Sequence, residues 1–438
     1  MSRFMPCILM AVILFMLIIS WKNVLGYYNS ITESYQTHID RAKAYMQKEI
    51  YIDAVSEYES ALRIKSDDYD TAMIIVDLYE KLKNESGWVK ACQNAISADK
   101  AKPETYLILA DYYIENAKLS SAYETLKEAE KNLGEENQEV TKRLIDIMGR
   151  YTLENIRYDQ INSFCYSDNQ KTGYAVFSSG NKKGLIDTSK SVIVSAEYDD
   201  IGILGQDVVP VYQDKKWYYV NEDEYRKLVP DHIAEYLGTF HDNYAPAKIN
   251  GMYGYLDKKM QELHFEYEYA GCFSNGLAAV KQNGKWAVIN TSFEPVTGFD
   301  FDEILLDEYG FCSVYGVFFA KLNDQYYLYN SNGEQISEGF DDAKLFASDE
   351  PAAVKKNGKW GFVAKSGEIV TEFNYTDADS FSLGFAPYCE KGKWGCIDQK
   401  ENILIEPVFD AMQPFSHNGY ALVEMDGVQE LAVITIYE

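Results

Sequence analysis

Histidine is scarce in this chain of 438 residues, with five copies. They stand at His38, His232, His241, His264 and His417, and no two form an H-x-x-x-H or H-E-x-x-H pair. A helical metal site therefore has no footing. The seven cysteines are Cys7, Cys92, Cys165, Cys272, Cys312, Cys389 and Cys396. Their number is odd and no C-x-x-C occurs, so neither a disulfide framework nor a zinc site is signalled. No lipobox-like Leu-x-x precedes Cys7, which argues against lipidation. No Gly-rich phosphate loop leads from a strand into a helix, and no G-x-S-x-G elbow is present. No catalytic, cofactor-binding or metal-binding residue is predicted, and the chain reads as a non-enzyme with no cofactor.

Positive charge is also short. Lysine and arginine number 41 against 68 aspartates and glutamates, a net charge of −27. Such a chain repels phosphate backbones, so no nucleic-acid partner is expected. The charge also opposes adsorption to anionic lipid and favours solubility. What is abundant is apolar and aromatic surface, at 47% and 14% of residues, with 36 tyrosines. That is enough to bury a large core.

The chain opens on Arg3 and an apolar run from Phe4 to Ile19, followed by Trp21 and Lys22. This run is near the lower length limit for a membrane span, and Trp21 suits a membrane interface. Residues 1–26 are read as a transmembrane anchor, with the bulk of the chain extracytoplasmic. A cleaved signal peptide, ending near Val24-Leu25-Gly26, is the alternative and implies secretion.

A 34-residue beat follows. Tyr45, Tyr79 and Tyr113 keep it, as do Tyr58, Cys92 and Leu126, and Ala61, Ala95 and Ala129. Within each period the apolar residues recur at helical spacing, so residues 34–150 read as stacked helix pairs. Small residues let paired helices approach, and the tyrosines fill the gaps between them.

From 165 to 438 the period persists with strand chemistry. Trp360-Gly361 and Trp394-Gly395 are one period apart, and so are Phe381-Ser382 and Phe415-Ser416. Earlier anchors are Lys183-Gly184, Trp217, Tyr253-Gly254, Trp286 and Tyr326. The last interval, Trp286 to Tyr326, is stretched to 40 residues. Asn283-Gly284 and Asn357-Gly358 are hairpin signals, because both turn residues need positive φ. The strands lack alternation: Trp286, Ala287, Val288 and Ile289 run without a polar break. Each small sheet should therefore be sandwiched between neighbours, as in a propeller or an open β-solenoid. Seven units and a partial eighth are counted. The glycine after the aromatic predicts a bulge or a ring lying over the backbone.

Carboxylates recur at one point of this repeat, as Asp199-Asp200, Asp300 with Asp302, and Asp341-Asp342. Paired catalytic carboxylates or calcium ligands would look similar, but repetition in register points to turn-forming aspartates. Asn290-Thr291-Ser292 and Asn374-Tyr375-Thr376 fit the glycosylation sequon and are given little weight.

The helical half resembles the tetratricopeptide (TPR) repeat. Its small, Tyr, Ala, aromatic and Ala slots hold Ala42, Tyr45, Ala54, Tyr58 and Ala61 in the first copy. In the third they hold Ala110, Tyr113, Ala122, Leu126 and Ala129. The middle copy departs, with Val76 for the small residue and Trp88 for the first Ala. The late proline of the family is replaced by Ser66, Lys100 and Gly134. No Lys or Arg clamp for a terminal carboxylate is visible, and a structural spacer is as compatible with the pattern as a peptide groove.

The second half resembles the WG-repeat family of bacterial β-repeat proteins, through Gly-Lys-Trp-Gly at 358–361 and 392–395. Gly284-Lys285-Trp286-Ala287 is a near match. This resemblance implies a binding or structural role and brings no catalytic set. The expected architecture is an α + β multidomain repeat protein, an α-solenoid followed by an all-β array of three-stranded repeats. The expected role is a membrane-anchored scaffold for protein or peptide partners. A cell-envelope glycan partner is the alternative, decided by whether Trp217, Trp286, Trp360 and Trp394 are exposed.

Overall fold

The computed structural model describes residues 20–22, 30–134, 137–162, 164, 173–221 and 227–437. The chain divides between Ile147 and Met148 into two compact units. Most of the segment read as an anchor or signal peptide, along with Cys7 and Cys165, lies outside the described residues. Among the described residues, no helix is long and apolar enough to cross a membrane.

The first unit is helical: α1 (30–47), α2 (Tyr51–Ile64), α3 (Tyr69–Lys81), α4 (Glu85–Ala98), α5 (Pro103–Glu115), α6 (Leu119–Leu133) and α7 (Gln138–Met148). The 34-residue beat sets both its core and its turns. Ala42, Ala54, Tyr58, Ala61, Val76, Cys92, Ala95, Ala110, Ala122, Leu126 and Ala129 are all buried. Tyr45, Tyr79 and Tyr113 pack against that core from its edge. Their carbonyls also end the first helix of each pair, accepting the N–H groups of Ile50, Asn84 and Lys118. A second bond closes each turn, and Glu49, Lys83 and Ala117 stand at φ 59°, 53° and 54°. This is the Schellman arrangement built three times without glycine. The following helices start on caps where the sequence supplies them: Asp68 accepts from Thr71 N–H and Asn84 from Gly87 N–H.

The second unit is an eight-bladed, propeller-like ring of antiparallel sheets. Blades 1 to 7 span 160–198, 200–228, 234–267, 269–290, 303–330, 342–363 and 377–409. Blade 8 takes residues 411–434 and adds a fourth strand from far upstream. Tyr151–Asn155 pairs with Val428–Ile434, Tyr151 opposite Ile434 and Asn155 opposite Glu430. The eighth unit, read as partial, is thus completed by a strand that precedes the repeats, and β structure begins at Tyr151 rather than near 165. Side chains of blades 1 and 8 then share one core, where Ile161, Phe177 and Ile186 meet Leu422 and Leu431. Pairing and packing together close the ring, which selects the propeller over the open solenoid.

Each blade turns through a tight hairpin. Asn283 and Gly284 stand at φ 52° and 76°, and Asn357 and Gly358 at 53° and 78°. The stretched interval before Tyr326 is a loop over 305–316 in blade 5. It carries Phe311 into a bridge with Cys272 and into the core formed by Val176, Leu185, Val209 and Val211. Its Glu308 accepts a bond at 2.8 Å from Asn162, just after the first strand of blade 1. The extra residues therefore tie blade 5 to blades 1, 2 and 4.

Candidate functional site

The glycine of the repeat is explained by close approach. A Cβ on Gly254 would lie 2.6 Å from the Phe265 ring, and one on Gly184 would lie 2.6 Å from Phe177. At Gly395 it would meet the Ile405 carbonyl oxygen at 2.3 Å. The strand register slips between Tyr253 and Tyr255 and between Trp394 and Cys396, so ring and bulge occur together.

Most of the recurring carboxylates join one blade to the next. Lys285, in blade 4, donates to one oxygen of Asp302 at 2.7 Å. The other oxygen accepts the N–H of Asn323 at 3.0 Å, in the hairpin of blade 5. Lys393 of blade 7 pairs with Asp410 in the same way, and the second oxygen of Asp410 accepts from Asp426 N–H at 2.8 Å. Lys182 holds Asp199 and Lys183 holds Asp200, at 2.7 and 2.8 Å. Asp341 accepts from Gly358 N–H at 3.2 Å. The Lys285 ammonium, first, and the Asn323 N–H hold the Asp302 carboxyl below its ordinary range; Lys393 and Asp426 N–H do so for Asp410. Asp199, Asp200, Asp302 and Asp410 clasp one blade to the next, whereas Asp341 bonds within blade 6, and repetition in register follows from the repetition of this turn.

The tryptophans are also committed. Trp360 is 4% exposed, with the Lys344 and Lys355 ammoniums 5.5 and 5.7 Å from its ring. Trp286, half-buried, lies against Tyr269 and under Lys281. Trp217 sits between Tyr212 and Tyr236. Trp394 is half-buried. Trp217, Trp286 and Trp360 form inter-strand and inter-blade packing. Asn290 spends its side-chain oxygen on the N–H groups of Ser292 and Glu294, within a turn.

The histidines are scattered. His38 meets Glu57 and His232 meets Glu262, each at 2.6 Å, and His264 stacks on Phe293. His241 is buried beside Asp242. Among the described residues, no three His, Cys, Asp or Glu side chains converge as a metal site. Cys92, Cys272, Cys312 and Cys396 are buried, and burial pushes the Cys92 thiol up to about 12.

Two cavities stand out among the described residues. One, of about 390 Å³, lies in the ring beneath the 305–316 loop, walled by Phe311, Phe346 and Phe415. Asp379 faces it, its carboxyl raised by burial against the lowering effect of Lys344. The other, of about 640 Å³, is an open groove on the helical unit between α3, α4 and α5. Met73, Val76, Trp88, Ile108 and Tyr112 form its apolar surface. Ile108 is 36% exposed, and the Trp88 and Tyr112 rings meet at 5.1 Å. Both departures of the middle helical repeat, Val76 and Trp88, line this groove. In the sequence they register only as breaks in a pattern; the helical spacing of Ile108 and Tyr112 on α5 with Met73 and Val76 on α3 is the signal that could have found it.

Comparison with known proteins bears on the ring. The profile of the WG containing repeat family matches residues 184–217, 253–286, 328–360, 360–394 and 394–428, so the β unit carries WG repeats. No curated protein matches the chain in sequence. Among solved structures, Kluyveromyces lactis Hsv2 is similar at 11% identity and a TM-score of 0.35, over 63% of this chain and 97% of that one. The first TPR of Spaghetti (RPAP3), bound to an HSP90 peptide, is similar at 16% identity and a TM-score of 0.20. That match covers 26% of this chain and 88% of the other. The TPR2B domain of yeast Sti1, in complex with pHsp70, gives 21% identity and a TM-score of 0.21. It covers 26% of this chain and 94% of that domain. Likenesses at these scores do not establish shared function.

Proposed function

We propose that the chain is a non-catalytic scaffold that binds protein or peptide partners, held at the outer side of a membrane by its N-terminal segment. The observation that carries the binding role is the groove on α3, α4 and α5. Its size, near 640 Å³, suits several side chains of an extended segment. Its apolar floor, with Ile108 exposed and Met73, Trp88 and Tyr112 half-buried, is the kind of surface that marks an interaction site. Anchoring rests on the apolar run from Phe4 to Ile19. The WG-repeat ring serves as a rigid second module, its glycines and tryptophans spent on packing.

The test is affinity capture with the full-length chain, beside a Trp88→Ala/Ile108→Ser variant. A protein retained by the wild type and lost by the variant supports the reading. Absence of any protein that depends on Trp88 and Ile108 removes it. Anchoring is tested by fractionating cells that make the chain with and without its first 25 residues; recovery of both forms in the soluble fraction rejects it.

A further inference from the structure

The proposed peptide groove has a charge, and the charge selects its occupant. Around the apolar floor stand Asp77, Glu80, Glu85, Asp111 and Glu115, with Lys83 the one lysine in the lining. They come from the same helical faces as the floor: Asp77 and Glu80 follow Met73 and Val76 on α3, and Asp111 and Glu115 flank Tyr112 on α5. Not all are available. Arg143 holds both oxygens of Asp111, at 2.7 and 2.9 Å, and the Tyr112 hydroxyl donates to Glu85 at 3.4 Å. Asp77, Glu80 and Glu115 are exposed, and no hydrogen bond or ion pair to their carboxylates is found among the described residues. Three unneutralised carboxylates thus rim an aromatic and aliphatic floor.

We infer that this groove binds a cationic peptide segment, one carrying arginine beside an apolar side chain, and rejects a free terminal carboxylate. The inference rests on the peptide-binding reading above. Its warrant is complementarity. A guanidinium presents a planar fork of donors that two carboxylate oxygens accept together. The same plane stacks on an aromatic face, and Trp88 offers one. The outer reach of Tyr112 is partly taken, because the Lys118 ammonium lies 5.7 Å from its ring. The neighbouring apolar side chain of the ligand would cover Ile108. A terminal carboxylate finds Lys83 at the rim and Lys118 over Tyr112, against the three unneutralised carboxylates, while Arg143 is already held by Asp111.

The experiment titrates full-length protein against three fluorescent nonapeptides and reads anisotropy. The first is capped at both ends and carries an Arg-Leu-Arg core in alanine; the second has Glu-Leu-Glu instead; the third is uncapped and ends in Asp. Two charge-matched double variants accompany the wild type. Glu80→Lys/Glu115→Lys changes the rim, whereas Glu368→Lys/Glu372→Lys makes the same change at exposed positions of the ring. All four sites are exposed, so folding is preserved in both. The expected result is saturable binding of the arginine peptide, weakened ~10-fold or more by the rim variant and little by the ring variant, since rim pairs act at short range through screened water. Equal weakening by both variants would show diffuse attraction to an acidic protein and overturn the inference. Trp88-dependent binding of the glutamate or Asp-terminated peptide would also overturn it, while leaving peptide binding in place. Failure of all three peptides, together with no Trp88-dependent partner in affinity capture, would remove both readings.

Discussion

Lys190, at the turn after the third strand of blade 1, pairs with Glu154 on the strand that completes blade 8, and its ammonium lies 4.3 Å from the Tyr420 ring. One side chain thus spans the closure from both of its partners. The ion pair is partly exposed and is worth at most ~1 kcal/mol, so Glu154→Gln should shift unfolding only slightly. The strand itself matters more. N–H groups alternate toward and away from the ladder, so prolines at both Thr152 and Leu153 must remove at least one paired donor. Thr152→Pro/Leu153→Pro should lower the unfolding midpoint of the ring by several degrees in calorimetry. An unchanged midpoint would mean that the ring holds without its fourth strand in blade 8.

The blade clasps give a pH dependence with a definite sign. Asp302 and Asp410 have carboxyls held below the ordinary 3.8 by a lysine and a backbone N–H. Such groups contribute stability that is present above the unfolded value and lost as pH falls through the folded one. These two carboxylates should therefore contribute a modest loss of ring stability as pH falls below about 4. Asp302→Asn/Asp410→Asn should be less stable at pH 7 and show a shallower acid decline. Parallel profiles from pH 7 to pH 2.5 would show that these carboxylates are not coupled to folding.

The repeat glycines should differ in tolerance. At Gly395 a methyl group would meet backbone, 2.3 Å from the Ile405 oxygen, whereas at Gly361 the nearest atom is the Glu372 oxygen at 3.0 Å. Gly395→Ala is expected to cost about 1–3 kcal/mol, within the range for overpacking, and Gly361→Ala less. Thermal unfolding of the two variants decides the order. A reversed order would contradict the bulge geometry.

Thiol labelling should separate the cysteines by burial. Cys389 is half-buried, while Cys92, Cys272, Cys312 and Cys396 are buried with raised thiols. The thiolate is the reactive form, so among these five iodoacetamide should modify Cys389 in the native protein and the other four only in denaturant. Peptide mass mapping reads the pattern. Native labelling of Cys92 would mean that the helical core opens readily.

The helical unit was legible because its information is local. Period, small residues and tyrosines fix packing and turn together, so Ala61, Ala95 and Ala129 are buried as their spacing implies. The hairpins were legible for the same reason, since Asn-Gly states its own φ angles. What escaped depends on partners far apart in sequence. Tyr-Thr-Leu-Glu-Asn at 151–155 carries no repeat motif, because its task is to pair with Val428–Ile434 and not to start a blade. The role of Asp302 needs Lys285 and Asn323 in two blades, a relation that no window of sequence displays. The groove was hidden because Val76 and Trp88 read as faults in a family pattern, and only the packing of α3 against α4 and α5 shows that they face one opening.

The fourth strand of blade 8 has a consequence for how the chain is made. Its residues leave the ribosome before any blade exists, and their partner emerges only after all seven preceding blades. At about 5–20 residues per second, the delay is on the order of tens of seconds. Throughout that time Tyr151–Asn155 is an unpaired edge beside growing sheets that share its geometry. Premature pairing with an earlier hairpin would strand the last blade, and a truncated product could never lock. The joint of blade 8 therefore waits on synthesis: Tyr151–Asn155 gains its partner strand only once the chain has been made through to Ile434.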